Sequence, residues 1–192
     1  MFLGMTTAEQ ELERQQYPVG RFTTPNEVTA EQRRQAIEVL ESLPRLLRQE
    51  VELRGPAGLE RPYRPGGWTL RRLVHHVADS HQQASGRVRM ALTEDWPTIQ
   101  PYDQSLWAHL DDASKAPVDL SLSIIDGVHG RLVALLRSLT EEQWARGFHH
   151  PENGPAHAPG GGGCAMRIAW SPGRRARARS PDDGSPAPTV LP

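Results

Sequence analysis

Eight histidines in a 192-residue chain are the side chains best suited to chemistry here, because neutral imidazole is the commonest protein ligand for zinc, nickel and iron. Ligands drawn from one helix must stand three or four residues apart to reach one ion. His75 and His76 are neighbours and point about 100° apart on a helix, so both cannot serve the same ion. Asp79 follows His75 by four residues and His76 by three, which gives the local pairs with usable spacing. The same spacing also describes an ordinary surface histidine beside a carboxylate, and both readings stay open. His81 falls in the middle of an apolar stripe, as a hydrogen-bonded core histidine would. His76 falls on the shoulder of that stripe, where it can face a crevice between helices. His129 lies at the edge of another apolar face and admits the same two readings. His149 and His150 precede Pro151 and read as loop residues.

Other routes to catalysis have little support. Gly160 to Gly163 lacks the preceding strand and the Lys-Ser/Thr that a phosphate loop needs, and no nucleophile-elbow motif is present. Cys164, the single cysteine, excludes an intramolecular disulfide and a multi-cysteine zinc site, and nothing around it would lower its pKa. The arginine run from Arg174 to Arg179 could touch phosphates, but a net charge of −1 argues against a general nucleic-acid or membrane-surface binder. Lys115 is the only lysine among many arginines, a bias that suggests GC-rich coding. No apolar run approaches the ~18 residues of a membrane span, and the start is too short for a signal peptide. A soluble, cytoplasmic, bacterial-type protein is expected.

These side chains must be held by helices. Hydrophobic residues are 37% of the chain and charged residues 23%, enough for one modest core. Thr29 with Gln32 is a capping-box signature opening a helix over 29–52. Pro44 lies inside it and should kink it, since it removes a backbone donor and crowds the preceding turn. A second helix is predicted over 69–93, with Leu70, Leu73, Val74, Val77, Ala84, Val88 and Leu92 on one face. A third is predicted over 119–139, and Thr140 with Gln143 starts one more short turn. The 94–118 link should cross a bundle of antiparallel helices. Alternating β patterns are absent. Pro and Gly make up about a third of residues 151–192, a level that reads as disordered. The domains expected are a flexible 1–16, a helical bundle over 17–150, and a tail over 151–192.

Several strings carry a recognisable pattern: Tyr17-Pro18-Val19-Gly20, Arg61-Pro62-Tyr63-Arg64-Pro65-Gly66-Gly67-Trp68-Thr69, and Val74-His75-His76-Val77-Ala78-Asp79-Ser80-His81. They continue through Ala91-Leu92-Thr93-Glu94-Asp95, Pro101-Tyr102-Asp103, His129-Gly130-Arg131 and Gly147-Phe148-His149-His150-Pro151. Over about residues 17–152 the chain resembles the YfiT branch of the DinB-like superfamily. The resemblance implies an all-α, antiparallel four-helix bundle holding a divalent metal, zinc or nickel, on three histidines. Its members carry an inferred metal-dependent hydrolase activity on small molecules, and related bundles act as thiol transferases. One implied ligand is His76. The other two come from a final helix with a Trp-His-x-x-x-His pattern. His75, Asp79, His81 and His129 are the implied supporting or pocket residues.

The chain departs from the family at that final helix. It is expected near Ala169-Trp170, yet Ser171-Pro172-Gly173 follows and no histidine lies beyond His157. A reading-frame shift in GC-rich DNA accounts for the change, since a His-, Arg- and Ala-rich helix read out of register gives Pro, Arg, Ala and Gly. Divergence of a true tail on a non-catalytic bundle is the alternative. Without the fourth helix, Leu73, Val77 and Leu132 should be partly uncovered and the chain prone to aggregate. A metal-free helical binding module, or a homodimer pairing through the bare faces, is then the competing function.

Overall fold

The computed structural model describes residues 6–16, 28–152 and 154–157, and the elements follow in chain order. They are α1 (Thr7–Gln16), α2 (Ala30–Leu59), α3 (Leu70–Thr93), α4 (Gln104–Ala108), α5 (Asp111–Lys115), α6 (Val118–Arg137), α7 (Glu141–Trp144), β1 (Gly147–His150) and β2 (Gly154–His157). The three long helices stand where the apolar spacing placed them. Both capping boxes form. The Thr29 hydroxyl accepts from the Gln32 N–H at 3.2 Å while Gln32 Oε1 accepts from the Thr29 N–H at 2.9 Å, and Thr140 and Gln143 repeat the pair at α7. α1 arises in a stretch rich in Ala, Glu, Gln and Leu, all good helix formers. Helix therefore occupies residues 7–16 of the 1–16 segment.

α2 differs from expectation in where it bends. Pro44 leaves the helix unbroken, and the non-helical residue is Gly55, at φ 61° and ψ 178°. Pro56 is the reason, because a residue before proline is driven out of the α region. Only glycine adopts this positive-φ, extended-ψ conformation readily. A Cβ at Gly55 would meet nothing within 4 Å, so the penalty for a side chain there is conformational. Gly55→Ala is expected to lower stability by about 1–3 kcal/mol, read from urea midpoints.

The core has three parts. Ile37 and Leu40 of α2 meet Ala84 and Val88 of α3, Leu132 and Leu136 of α6, and Trp144. Leu47 and Leu59 meet Val74, Val77, Val118, Leu122 and Ile125. Ala91, Ile99 and Phe148 form the third. The order of partners fixes directions. Arg33 reaches Glu141, Glu41 reaches Arg137 and Arg48 reaches Asp126, so α2 and α6 are antiparallel. His75 meets Ser121 and His81 meets His129, so α3 and α6 run the same way. Antiparallel packing thus holds for α2 against its neighbours but not for α3 against α6. The long link, carrying α4 and α5, crosses the bundle because a parallel neighbour cannot be reached by a short turn.

The bare stripe did not materialise. Leu73, Val77 and Leu132 are 2%, 8% and 0% exposed. α2 and α6 between them cover Val77, and α2 and α3 cover Leu132. β1 and β2 were not anticipated either. They pair antiparallel, from Gly147 opposite His157 to His150 opposite Gly154, so the boundary expected at Pro151 falls within a hairpin. His149 and His150 are strand residues. The alternation that announces a strand is absent because the strands are only four residues long and one contains Pro155. No described helix is long and apolar enough to cross a membrane. Tyr17 to Gly20, Cys164, the Arg174 to Arg179 run and the place expected for a fourth helix lie outside the described residues.

Candidate functional site

α3 carries four of the side chains singled out by type, and α6 supplies the fifth. Thr69 caps α3 by accepting from the Arg72 N–H at 3.3 Å, which fixes the helix phase and hence the faces of His75, His76, Asp79 and His81.

His75 is buried and uses both ring nitrogens. Nδ1 lies 2.7 Å from the Ser121 hydroxyl and Nε2 lies 3.2 Å from the Ala116 carbonyl. It fastens α3 to the start of α6, and neither nitrogen is left for a ligand. His76 is different. Its ring stands edge-on to Trp68 with centroids 5.1 Å apart, and it makes no hydrogen bond among the described residues. Burial lowers its pKa, so the imidazole is biased toward the neutral form that a metal requires. Asp79 is half-buried. Burial, then the nearby Asp112, raises its pKa, and His75 opposes the rise.

His81 and His129 form a relay in the core. His129, 1% exposed, places Nδ1 2.7 Å from the Leu40 carbonyl and Nε2 2.6 Å from His81 Nδ1. A carbonyl only accepts, so His129 Nδ1 must carry the proton. With His129 neutral, its Nε2 accepts from His81 Nδ1–H, and His81 Nε2 keeps its lone pair. Burial, then His129 and His76, pushes the His81 pKa well down. Burial also lowers that of His129, against the opposing pull of the Leu40 bond and Asp126. Pro44 explains why the Leu40 carbonyl is available. In a helix that oxygen takes the N–H four residues on, and proline has none. The sequence showed the proline but not the imidazole that satisfies the orphaned oxygen.

The hairpin holds the remaining pair. His149 packs its ring on Trp96 at 5.5 Å, and its backbone bonds Pro97 and Ile99. The His150 Nδ1 accepts from the Glu152 N–H at 3.2 Å.

These placements decide the metal question for the described residues. No three His, Cys, Asp or Glu side chains among them converge to hold an ion. His76 is an open donor; His75 and His129 are consumed by hydrogen bonds. A three-histidine centre does not fit this set, and no histidine follows His157 to complete it.

Comparison with known proteins agrees with the fold. The pattern of the DinB superfamily matches residues 39–170. The Bacillus subtilis (strain 168) protein named "Putative metal-dependent hydrolase YfiT" is 44% identical over 136 residues, 71% of this chain and 76% of that protein. A Bacillus cereus (strain B4264) protein of the same description is 46% identical over 138 residues, 72% of this chain and 79% of its own. The solved structure of Bacillus subtilis YfiT superposes with a TM-score of 0.77 and 39% identity, covering 82% of this chain and 89% of that one. It is described as having "an unusual four-helix bundle topology". Matching in sequence over most of its length and in the arrangement of its helices, this chain belongs to the DinB superfamily.

Proposed function

We propose that the chain derives from a metal-dependent hydrolase acting on a small molecule, with His76 the ligand that α3 contributes and zinc or nickel the metal. One observation carries this. Among the histidines of α3, only His76 is at once half-buried, braced by an aromatic ring, free of hydrogen bonds among the described residues and biased to the neutral form. A bound divalent ion would supply a water ionised near neutral pH. The described residues offer that ion one imidazole, so no catalytic step is assigned to the chain as it stands, and its activity is impaired. The relatives' description as hydrolases and the 44% identity to one of them support the reading.

The test is metal content. The purified 192-residue chain is expected to hold far less than one zinc or nickel per chain. A version whose frame is corrected after the His150 codon, so that a His-x-x-x-His helix is restored, should hold about one. His76→Ala in that version should remove it. Near-stoichiometric metal in the uncorrected chain, or unchanged metal after His76→Ala, refutes the assignment; so does a gene in which neither alternative frame encodes such a helix.

A second reading, a metal-free module pairing with its own copy, is favoured by exposed apolar side chains. Leu120 and Ile124 of α6 are 60% and 40% exposed, and Leu106 and Leu110 lie 67% and 56% exposed. Sedimentation of the purified chain separates the two, with a concentration-dependent dimer lost on Leu120→Glu supporting the second.

A further inference from the structure

The break in α2 produces a feature that the histidines do not use. Between the end of α2 and the 60–69 loop lies an open pocket of about 640 Å³, walled by Arg54, Arg61, Tyr63 and Arg64 with Leu53 and Leu70 as apolar sides. Small-molecule sites typically occupy ~300–1,000 Å³.

The charge in it is one-sided. Among the described residues, no Asp or Glu lines the pocket. The flanking carboxylates are engaged: Glu50 holds Arg54 at 2.6 Å, and Glu60 takes two bonds from Arg71 at 2.7 and 2.8 Å. The Arg61 guanidinium has no ion pair or hydrogen bond among the described residues. Arg64 has no carboxylate partner among the described residues either. Its Nε donates to the Tyr63 hydroxyl at 2.9 Å, its Nη1 donates to the Pro65 carbonyl at 3.3 Å, and its Cζ lies 5.1 Å from the Tyr63 ring centre. Tyr63 therefore holds the Arg64 fork in place.

Two glycines let the cationic wall close up. A Cβ at Gly58 would fall 2.9 Å from Arg54 Cβ, and one at Gly67 would fall 2.8 Å from both Arg64 Cγ and Tyr63 Cε1. Larger residues would push these side chains off the wall. Arginines gathered in one concavity repel one another unless an anion sits between them, and the planar guanidinium matches carboxylate and phosphate oxygens in pairs.

We propose that this pocket binds the anionic end, carboxylate or phosphate, of a small organic molecule, with Arg61 and Arg64 as its forks. The 60–69 loop ties it to the histidine site. The Tyr63 N–H donates to the Trp68 carbonyl and the Leu70 N–H to the Arg61 carbonyl, both at 3.1 Å, and Trp68 is the ring against His76. The bound molecule is thus the hydrolase's substrate, an assignment that rests on the proposed function, whereas the anion site itself does not.

Calorimetric titration of the full 192-residue chain, freed of metal, with succinate and separately with inorganic phosphate tests this at low salt. Saturable binding of at least one anion is expected. Arg61→Gln and Arg64→Gln should each weaken it about tenfold, and Gly67→Ala should weaken it with no change in charge. Arg45→Gln, which removes an exposed α2 arginine outside the pocket, should leave it unchanged. Binding of succinate alone marks a carboxylate ligand, and of phosphate alone a phosphorylated one. No saturable binding of either anion overturns the proposal, as does equal weakening by Arg45→Gln. If the anion binds but the frame-corrected chain takes up no metal, the hydrolase reading falls and the anion site stands. Metal uptake without anion binding sinks the pocket alone.

Discussion

His129→Ala is expected to lower the unfolding free energy by about 4 kcal/mol, comparable with the whole margin of a small domain. Three losses add. The side chain is 1% exposed and packs among α2, α3 and α6, so its removal leaves a cavity. The Leu40 carbonyl loses its donor at 2.7 Å, and the His81 Nδ1–H loses its acceptor at 2.6 Å. Each buried orphan costs about 1–3 kcal/mol. The proline supplies an internal control. Pro44→Ala gives residue 44 an N–H that can bond the Leu40 oxygen in the ordinary helical way. In the His129→Ala background this substitution should recover about 1 kcal/mol more than it gives alone. Urea unfolding of the two single variants and the double variant measures the coupling, and simple additivity would remove the relay from the account.

Acid should weaken the fold well before its carboxylates titrate. Burial holds the pKa values of both His81 and His129 below 6.5. An unfolded chain takes up protons on these rings near pH 6.5, while the folded chain resists until a lower pH. In between, the unfolded state binds more protons, so stability falls as pH falls. The expected slope reaches about 1.4 kcal/mol per pH unit for each ring, starting near pH 6.5, with no such loss above it. Asp79 acts with the opposite sign and lower down. Its raised pKa favours the protonated carboxyl in the folded chain, which softens the loss as pH falls toward 4. Thermal midpoints at pH 8, 6 and 5 check the result, and a flat profile across that range would contradict buried neutral imidazoles.

Much of the bundle was legible because its signals are local. Helix starts were readable from Thr29-Gln32 and Thr140-Gln143, whose caps are made within one turn. The stripes of α3 and α6 were readable because burial follows periodicity, and His81 on the stripe of α3 is a core histidine as its position suggested. The failures came where distant segments decide. Pro44 carries a local cost, and a ring eighty-nine residues away in sequence offsets it. Gly55-Pro56, where the helix does break, lies beyond the 29–52 span read from the sequence. The hairpin depends on pairing across a turn and on the 97–99 segment, and four-residue strands leave too little alternation to read. Asp79 shares a helix face with neighbouring histidines but hydrogen-bonds neither of them, so spacing alone overstated what that carboxylate does.

The hairpin also sets a reach requirement. Ala156 of β2 packs beside Ala91, so β2 lies at the C-terminal end of α3. His76 lies fifteen residues back along that helix, about 22 Å at 1.5 Å per residue. A donor meant to face His76 must travel that distance after β2. A straight helix needs about fifteen residues to do so, and even a fully extended strand needs about seven. Any segment that completes the site is thus measured off by the hairpin before its composition matters, and a one- or two-residue deletion there would rotate or shorten the approach to His76.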